Sequence, residues 1–521
     1  IPMSVILLEP PRPKNPDRFE DVVNAPLSAC LFTGYIASVL RENKIDVEII
    51  NAHLYDWSIE ETITQLTRKH FPLLCVHTVY LWERTQDIFN MLYALKLRDL
   101  TAHINLYGYY PTFSYGKILT NFPFIDSVTV GEPEFTTLEL AGYILLGKDI
   151  QEEINIPGLA VSDRSERVVF SPRPPVQDLD QIPYPDRHDI DLYQKKGIVT
   201  YIQGSRGCYG HCTFCYLNSF YGQTNQWRCR SAKNIFEEIS KLYAEHSIRN
   251  FYFSDANFLG PGRTGKDRAI TLAELILAND LNIHFGIECR ANDVEEHSLS
   301  RLVMAGLTQV FLGLESGDPE SLKRFKKHIT VDENKQAVQL LREYGIEPTF
   351  GFIMFEPNST IGSVRNNFEF LKEMGIMTNP AVTAHLLHHR QTLFEGTPDF
   401  QSLISEINCN DASFAGYEAI YKIKDIKVEA FSEIISNVCR TALSLLTKTF
   451  ECDGTVVSGK SAESALLSAV NNTLIALFEK TISNFEMNAN VYSPEKIREI
   501  TQNLIHEIET IIHTYIPVIQ G

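Results

Sequence analysis

The sequence lacks a hydrophobic run long enough to cross a membrane, although 44% of its 521 residues are hydrophobic. A transmembrane helix needs about 20 consecutive apolar residues, so we expect no membrane span. Positive charge is also scarce, because 47 lysines and arginines stand against 65 aspartates and glutamates, for a formal net charge of −18. This balance argues against nucleic acid and anionic membranes as partners, since phosphate groups would be repelled.

Cysteine is sparse as well, with ten residues of which seven are scattered along the chain. The other three, Cys208, Cys212 and Cys215, lie close together. In a large chain for which we expect no secretion signal, clustered cysteines indicate a metal site rather than disulfides, and a reducing cytoplasmic location. Internal repeats and low-complexity tracts are missing too, which excludes fibrous and disordered classes.

The first part of the chain, residues 1–145, alternates short apolar runs with amphipathic stretches. The apolar runs predict strands at 5–8, 47–50, 73–79, 104–107 and 128–130, with helices between them, for instance at 31–41. Such alternation predicts an α/β fold whose parallel sheet is covered on both faces. Ligands of these sheets bind beyond the carboxyl ends of the strands.

The remaining chain falls into three predicted segments. Residues 146–196, punctuated by prolines and aspartates, are expected to form an extended, ordered linker. Residues 197–398 resume the alternation, which predicts a partial (β/α)6 TIM-like barrel. Its strands are expected at 199–203, 250–254, 284–288, 309–315, 349–354 and 381–386. Residues 399–521 are expected to form a C-terminal α-helical domain without strands, with helices at 428–446, 461–482 and 494–516.

The segment GSRGCYGHCTFC at 204–215 follows the first predicted barrel strand. Its three cysteines can ligate three irons of a four-iron cluster and leave the fourth iron open, as a reactive cluster requires. The glycines of the segment let the backbone fold tightly and direct N–H groups at the sulfurs. A structural zinc site with His211 as fourth ligand, or a chance grouping, is the alternative.

Beyond the CxxxCxxC spacing, several short pieces recur in a fixed order. They are VGEPE (130–134), IPGL (156–159), DLDQIPYP (178–185), SRGC (205–208), FSDANF (253–258), GLESG (313–317) and EGTP (395–398). With these pieces the sequence resembles the radical SAM superfamily, and within it the class B methyltransferase-like subgroup with an N-terminal cobalamin-binding domain. The resemblance covers roughly residues 3–398 and implies a Rossmann-like cobalamin-binding domain at 1–145 and a radical SAM barrel at 197–398.

The resemblance implies a 4Fe-4S cluster on Cys208, Cys212 and Cys215, whose open iron binds S-adenosyl-L-methionine (SAM). Reduction of SAM then gives a 5′-deoxyadenosyl radical. The implied SAM-binding residues, placed by strand end, are Phe214, Asp255, Asn257, Glu288, Arg290, Glu315, Ser316 and Ile353. For each of them a satisfied salt bridge or a strand-end cap is the alternative. The resemblance assigns no catalytic residue.

The resemblance also implies cobalamin at the strand ends of the first sheet. The implied contacts are Pro10, Gly108, Tyr109, Thr112, Gly131 and Glu132. The DxHxxG motif that supplies a histidine to cobalt is absent, and we predict no protein histidine on cobalt, although His53 and His77 lie near strand ends. Two tyrosines follow Gly108 where the family often has a second glycine, so they fill tail space or line the corrin.

The function implied is cobalamin-dependent methylation of an unactivated carbon, or less often a phosphorus, in a small-molecule or peptide substrate. A rearrangement, ring contraction or cyclisation with the same cofactors is the first alternative. A non-catalytic iron–sulfur electron-transfer protein is the alternative of another class. The expected partners are the substrate and a flavodoxin- or ferredoxin-like electron donor, with no nucleic acid and no membrane.

Overall fold

A computed structural model describes residues 4–13, 31–98, 100–148, 150, 156–222, 227–406, 416–451, 460–488 and 492–520. The chain divides into two compact units, each described by itself below. Residues 1–311, 344–347 and 393–420 form the first unit, and residues 312–343, 348–392 and 421–521 form the second. Among the described residues, no helix has the length and apolar character needed to cross a membrane.

The first unit opens with a seven-stranded sheet. Its elements are β1 (Val5–Glu9), α1 (Phe32–Glu42), β2 (Val47–Asn51), α2 (Ile59–Thr67), β3 (Leu73–His77), α3 (Thr85–Leu97), β4 (His103–Tyr107), α4 (Tyr109–Asn121), β5 (Ser127–Thr129), α5 (Glu134–Leu145), β6 (Leu159–Ser162) and β7 (Val168–Phe170). The strand order is β2-β1-β3-β4-β5-β6-β7, and β1 to β5 pair in parallel. The predicted α/β sheet is therefore confirmed.

The alternation of side chains along β1 shows how both faces of this sheet are covered. Ile6 and Leu8 belong to a core cluster that includes side chains of α2, α3 and α4. Val5 and Leu7 belong to a second cluster, with side chains of α1 and α5. Since neighbouring residues of a strand point to opposite faces, a continuous apolar run is the pattern that a doubly covered strand needs.

The hairpin β6–β7 lies inside the predicted linker and was not expected. Both strands run antiparallel, β6 against β5 and β7 against β6. The turn is closed by the Asp163 carboxylate, which accepts the backbone N–H groups of Ser165 at 2.8 Å and Arg167 at 2.9 Å. Strands this short show little hydrophobic alternation, so the many prolines of this segment favoured the prediction of a linker. The domain boundaries at 145 and 197 stay predictions.

The rest of the first unit contains the second sheet. Its elements are α6 (Ile190–Lys195), β8 (Thr200–Ile202), β9 (Ser205–Arg206), α7 (Leu217–Tyr221), β10 (Arg228–Cys229), α8 (Ala232–His246), β11 (Asn250–Phe253), α9 (Gly262–Ala278), β12 (His284–Arg290), α10 (Glu296–Met304) and β13 (Leu307–Glu315). Strand β11 pairs in parallel with β8 and with β12. The short strands β9 and β10 form an antiparallel hairpin directly after β8.

The end of β13 belongs to the second unit. The elements that follow in the chain are α11 (Pro319–Arg324), α12 (Val331–Glu343), β14 (Thr349–Phe352), α13 (Ile361–Glu373), α14 (Pro380–His388), β15 (Leu393–Phe394), α15 (Pro398–Glu406), β16 (Glu418–Ala419), α16 (Ile426–Glu451), α17 (Lys460–Met487) and α18 (Pro494–Gln520). Of these, β15, α15 and β16 lie in the first unit. The three predicted C-terminal helices are present as α16, α17 and α18.

Two predictions about this part of the chain are wrong. Residues 381–386 form most of helix α14 and not a sixth barrel strand, because Asn379 caps the helix through the Val382 N–H at 3.0 Å and Pro380 occupies its first turn. Where a sixth barrel strand was expected, the described chain has an isolated parallel β-bridge between Phe355, after β14, and Arg390, after α14. Strands also do not end at residue 400, since β16 pairs antiparallel with β15.

Candidate functional site

The cysteine loop starts at the end of β8 and passes through the β9–β10 hairpin. Cys212 is buried, whereas Cys208 and Cys215 are partly exposed. The Gly210 N–H lies 3.4 Å from Cys208 Sγ, and Arg290 Nη1 lies 3.5 Å from Cys212 Sγ. Donors aimed at sulfur stabilise thiolates and tune iron–sulfur clusters. The donor set therefore fits a 4Fe-4S cluster on the three predicted cysteines.

The zinc alternative needs His211 as a fourth ligand beside the three cysteines. Within the described ranges, no group of three histidine, cysteine, aspartate or glutamate side chains is placed to bind a single metal ion. A four-iron cluster binds each thiolate at a different iron, so its ligand sulfurs lie further apart than those around one zinc ion. His211 is exposed at the surface of the loop and contacts Asn218.

Asp255, at the end of β11, holds the start of the cysteine loop. Its fully buried carboxylate accepts the Gly204 N–H and the Ser205 hydroxyl, each at 2.6 Å. Arg268 of α9 donates to the Gly204 carbonyl at 2.8 Å and lies 3.6 Å from the same carboxylate. Asp255 thus positions the loop in this structure, and its predicted contact with the SAM amino group stays a prediction. No sequence pattern indicated Arg268.

Asn257 is buried beside the loop and offers an acceptor for an amino group. Its Nδ2 donates to Asp293 at 2.8 Å, and Asp293 also accepts the Tyr209 hydroxyl at 2.8 Å. The Asn257 Oδ1 atom has no hydrogen-bond partner among the residues that the structure describes. A buried acceptor of this kind needs a donor, which the ammonium group of SAM can supply. Tyr209 and Asp293 were missed, although Tyr209 lies inside the cysteine motif.

Strand β12 carries two of the predicted SAM-binding residues. The Arg290 guanidinium lies 5.2 Å from the centre of the Tyr209 ring and reaches the sulfur of Cys212. Burial raises the pKa of Glu288 to about 7, and the nearby Asp255 adds to this shift. Glu288 therefore changes its protonation state near neutral pH. Phe214 is partly exposed within the loop.

In the second unit, Glu315 is the last residue of β13, has a positive φ of 64° and pairs with the buried Lys327 at 2.8 Å. The Ser316 hydroxyl donates to Asn367 Oδ1 at 2.7 Å, and the Ile353 N–H donates to the Glu315 carbonyl at 2.8 Å. The structure thus brings Glu315, Ser316 and Ile353 together. Lys327 holds Glu315, and Asn367 holds Ser316. Both lie well after their partners in the sequence, and no sequence motif indicated them.

The predicted cobalamin contacts lie at the strand ends of the first sheet. Gly108 has a φ of 121°, and a side chain there would meet the His77 ring at 3.0 Å, so only glycine suits this turn. Thr112 joins two turns, since its hydroxyl donates to the Gly108 carbonyl at 2.7 Å and accepts the Gly131 N–H at 3.0 Å. The Tyr109 ring packs on Phe220. Pro10 is buried at the end of β1.

A buried polar cluster occupies the ends of β1, β3 and β4. His77 Nδ1 lies 2.9 Å from the Glu9 carboxylate, the Thr33 hydroxyl lies 2.7 Å from the Tyr107 hydroxyl, and Thr33 also contacts Glu9. Burial alone would raise the pKa of Glu9, but His77, Arg12 and Thr33 outweigh it and hold the pKa at about 2. A charged carboxylate therefore anchors His77, a contact that the sequence did not reveal.

Glu132 contacts the hairpin that carries the cysteine loop. Its carboxylate lies 3.0 Å from Arg206 and 2.9 Å from Arg228, and Arg206 also pairs with Glu134 at 2.5 Å. Burial would raise the pKa of Glu132, but the two arginines reverse this and keep it below its usual range. Its predicted contact with cobalamin stays a prediction.

Comparison with known proteins agrees with this geometry. Residues 202–371 match the radical SAM superfamily, which confirms the resemblance for the second sheet. An uncharacterized methyltransferase of Pyrococcus horikoshii is 26% identical over 439 residues, which span 83% of this chain and 91% of that protein. An anaerobic magnesium-protoporphyrin IX monomethyl ester cyclase of Rubrivivax gelatinosus is 26% identical over 67% of this chain and 62% of its own length. A 4′-phospho-dehydrooxetanocin synthase of Priestia megaterium is 26% identical, over 67% of this chain and 49% of its own length.

Solved structures share the fold. The cobalamin-dependent SAM radical enzyme OxsB, with aqua-cobalamin and SAM bound, superposes with a TM-score of 0.78 at 18% identity, over 99% of this chain and 83% of its own. The radical SAM methyltransferase TsrM of Kitasatospora setae gives a TM-score of 0.59 at 18% identity, over 71% of each chain.

Proposed function

We propose that this chain, a radical SAM enzyme by its domain at residues 202–371, is a cobalamin-dependent methyltransferase. Its substrate would be an unactivated carbon, or less often a phosphorus, of a small molecule or peptide. The observation that carries the proposal is the loop after β8, where donors from Gly210 and Arg290 reach the sulfurs of two clustered cysteines. This arrangement suits thiolates that share a cluster.

When bound, the cluster supplies a low-potential electron for the reductive cleavage of SAM, and cobalamin carries a methyl group. The chain's own residues hold these groups in place. Cys208, Cys212 and Cys215 would hold the cluster, and Arg290 would stabilise negative charge on the Cys212 sulfur. Asn257 Oδ1 would accept a hydrogen bond from the SAM ammonium group. Asp255 fixes the first residues of the loop.

Cobalamin is assigned to the strand ends of the first sheet, beside Gly108, Thr112 and Gly131. Three features support this assignment: the parallel strands β1 to β5, the glycine turns after β4 and β5, and the fold shared with OxsB.

A second candidate function keeps the cofactors and replaces methyl transfer by rearrangement, ring contraction or cyclisation. The relatives named as a cyclase and a synthase favour it. Methyl transfer takes precedence because the relative named as a methyltransferase matches over 91% of its length. SAM with a trideuterated methyl group separates the two, since only methylation adds the label to the product.

The proposal is tested with protein purified without oxygen. We expect about four irons per chain, a cobalamin absorption spectrum, and release of 5′-deoxyadenosine when SAM and a reductant are added. Replacement of all three cysteines by alanine is expected to abolish iron binding and 5′-deoxyadenosine release but to leave cobalamin bound. A reduced cluster that releases no 5′-deoxyadenosine would instead support an electron-transfer protein. The flavodoxin- or ferredoxin-like donor and the cytoplasmic location stay predictions.

A further inference from the structure

Four charged side chains form a buried network beside the cysteine loop. Glu132 and Glu134 come from the VGEPE turn after β5, and Arg206 and Arg228 come from the β9–β10 hairpin. The side chains of Arg206 and Glu134 are 1% and 0% exposed, respectively, and the pairs measure 2.5 to 3.0 Å. Two acids thus face two bases, and all four residues are buried.

Arg206 is the centre of this network, because all its nitrogens are used. Its Nε donates to Gln203 at 2.9 Å, Nη1 to Glu132 at 3.0 Å and Nη2 to Glu134 at 2.5 Å. Its guanidinium also lies 5.2 Å from the centre of the Tyr35 ring, on α1. Because the guanidinium group is planar and each of its nitrogens has a partner, the Arg206 side chain is held in one orientation.

Glu132 fixes the other strand of the hairpin. It meets Arg228 with both carboxylate oxygens, at 2.9 and 3.2 Å, and accepts the Val176 N–H at 2.9 Å. Arg206 and Arg228 are themselves direct partners in the β9–β10 ladder. The ion pairs therefore hold the hairpin at the position where Arg206 pairs with Arg228 in the ladder. Arg206 lies two residues before Cys208.

Buried ion pairs contribute little net stability, because the desolvation of both charges offsets their attraction. Their more useful property is that they admit one geometry and place fixed charges in a medium of low dielectric constant. Here those charges lie at the entry of the cysteine loop. Solvent screens them little, so a cluster on this loop responds to each of them.

We propose that Arg206 and Glu134 are positioning residues that orient the cysteine loop and set the reduction potential of its cluster. The inference rests on the proposed function only in requiring a 4Fe-4S cluster on the three cysteines. It requires neither cobalamin nor substrate. It also gives a role to the two acids on a turn of the first sheet, which pair with the β9–β10 hairpin.

The test is a redox titration of the reconstituted protein without substrate, followed by electron paramagnetic resonance of the reduced cluster. The variants are Glu134→Gln, Arg206→Gln and Arg206→Lys. Arg173→Gln is the matched control, because Arg173 pairs with Glu139 of the same helix α5 at 2.6 Å, but that glutamate is 45% exposed. Iron content and circular dichroism confirm that each variant is loaded and folded.

Removing a negative charge favours the reduced cluster, and removing a positive charge disfavours it. Glu134→Gln is therefore expected to raise the midpoint potential and Arg206→Gln to lower it. Arg206→Lys keeps the charge but loses the fork, so it is expected to hold the potential near the wild-type value while it broadens the resonance signal. Arg173→Gln is expected to change neither property.

Shifts of the same sign in Glu134→Gln and Arg206→Gln would overturn the proposal, as would no shift in either. If Arg206→Gln binds too little iron to titrate, the other two variants decide the test. A raised midpoint potential in Glu134→Gln together with an unchanged potential in Arg206→Lys supports the proposal. Any other combination of these two potentials overturns it. A wild-type protein without a four-iron signal would contradict the proposed function instead, so the two failures are distinct.

Discussion

Gly210 shows how closely a single residue determines the surroundings of the cysteines. A Cβ atom at this position would lie 2.4 Å from Arg290 Nη1 and 3.5 Å from Cys208 Sγ. The arginine end can move, but only by leaving the sulfur of Cys212. The glycine is therefore required for the contact between guanidinium and sulfur, and not for a turn with positive φ.

Gly210→Ala is expected to leave the free energy of unfolding within about 1 kcal/mol of wild type and to reduce 5′-deoxyadenosine release at least about tenfold, a loss of about 1.4 kcal/mol in transition-state stabilisation. Chemical denaturation and single-turnover assays measure the two effects. Gly142→Ala in helix α5, where a Cβ atom meets nothing within 4 Å, is the control and is expected to be neutral or stabilising. Equal activity of both variants would contradict the assignment of Arg290.

Glu288 is expected to make folding depend on pH. Its pKa is raised to about 7, so the folded protein binds this proton more tightly than the unfolded chain. The bound proton stabilises the folded state fully below about pH 4.5, the pKa of this carboxyl group in the unfolded chain. This stabilisation is lost as the pH rises through 7, the pKa in the folded state, and the loss is at most about 3 kcal/mol. Relative to wild type, Glu288→Gln is expected to unfold at the same temperature near pH 4 but at a higher one at pH 8.

Thermal unfolding of the cofactor-free protein between pH 4 and 8 checks this prediction. Glu245→Gln, at an exposed site on helix α8, is the control and should follow the wild-type curve at every pH. If Glu288→Gln follows the wild-type curve as well, Glu288 ionises in the folded state without cost.

At the scale of elements, the first residues of α14 explain why this segment forms a helix. Asn379 accepts the Val382 N–H, and Pro380 is preset for a first helical turn. Asn379→Ala is expected to cost about 1 kcal/mol of unfolding free energy, whereas Asn379→Ser keeps the cap and should cost less than half of that. Urea denaturation measures both variants. Equal losses would show that the cap does not stabilise the helix.

The same helix explains where the sequence was sufficient and where it was not. Long buried strands such as β1 and β3 carry continuous apolar runs, and their existence follows from composition alone. The run at 381–386, AVTAHL, is also mostly apolar, and the cap before it favours helix over strand. Strands of three or four residues such as β6 and β7 leave too few positions for a period to appear.

Site residues divide in the same way. Cys208, Cys212 and Cys215 could be predicted because their spacing is local. Arg268 and Asp293 could not, since each acts on a partner several tens of residues away that only the folded chain brings near. Asp255 was recognised as important, but its contacts with Gly204 and Ser205 were not.

At the scale of the whole molecule, the C-terminal helices belong to a larger unit. In the second unit, Phe478 of α17 stacks on Phe368 of α13 with ring centres 4.6 Å apart, and it meets Phe431 of α16 at 5.1 Å. All three side chains are fully buried. Helices α16 and α17 therefore share a core with α13, which precedes them by more than fifty residues.

Phe478→Ala is expected to destabilise this unit by about 3–5 kcal/mol, because it opens a cavity among three aromatic rings. In calorimetry the transition that contains α13 should shift together with that of the C-terminal helices. If residues 421–520 instead unfold alone in a new, earlier transition, the helices form an independent domain. Val382→Ala, at a partly exposed site on α14, is the control and should shift the transition far less.

The supports of the cysteine loop come from both sides of it in the chain. Glu134 precedes the loop by about seventy residues, whereas Asp255 and Arg268 follow it by about forty to sixty. During synthesis the cysteines thus leave the ribosome before half of their scaffold exists. We therefore expect the thiol segment to gain its full set of supports, and the centre to mature, only after β11 and α9 have been translated and folded.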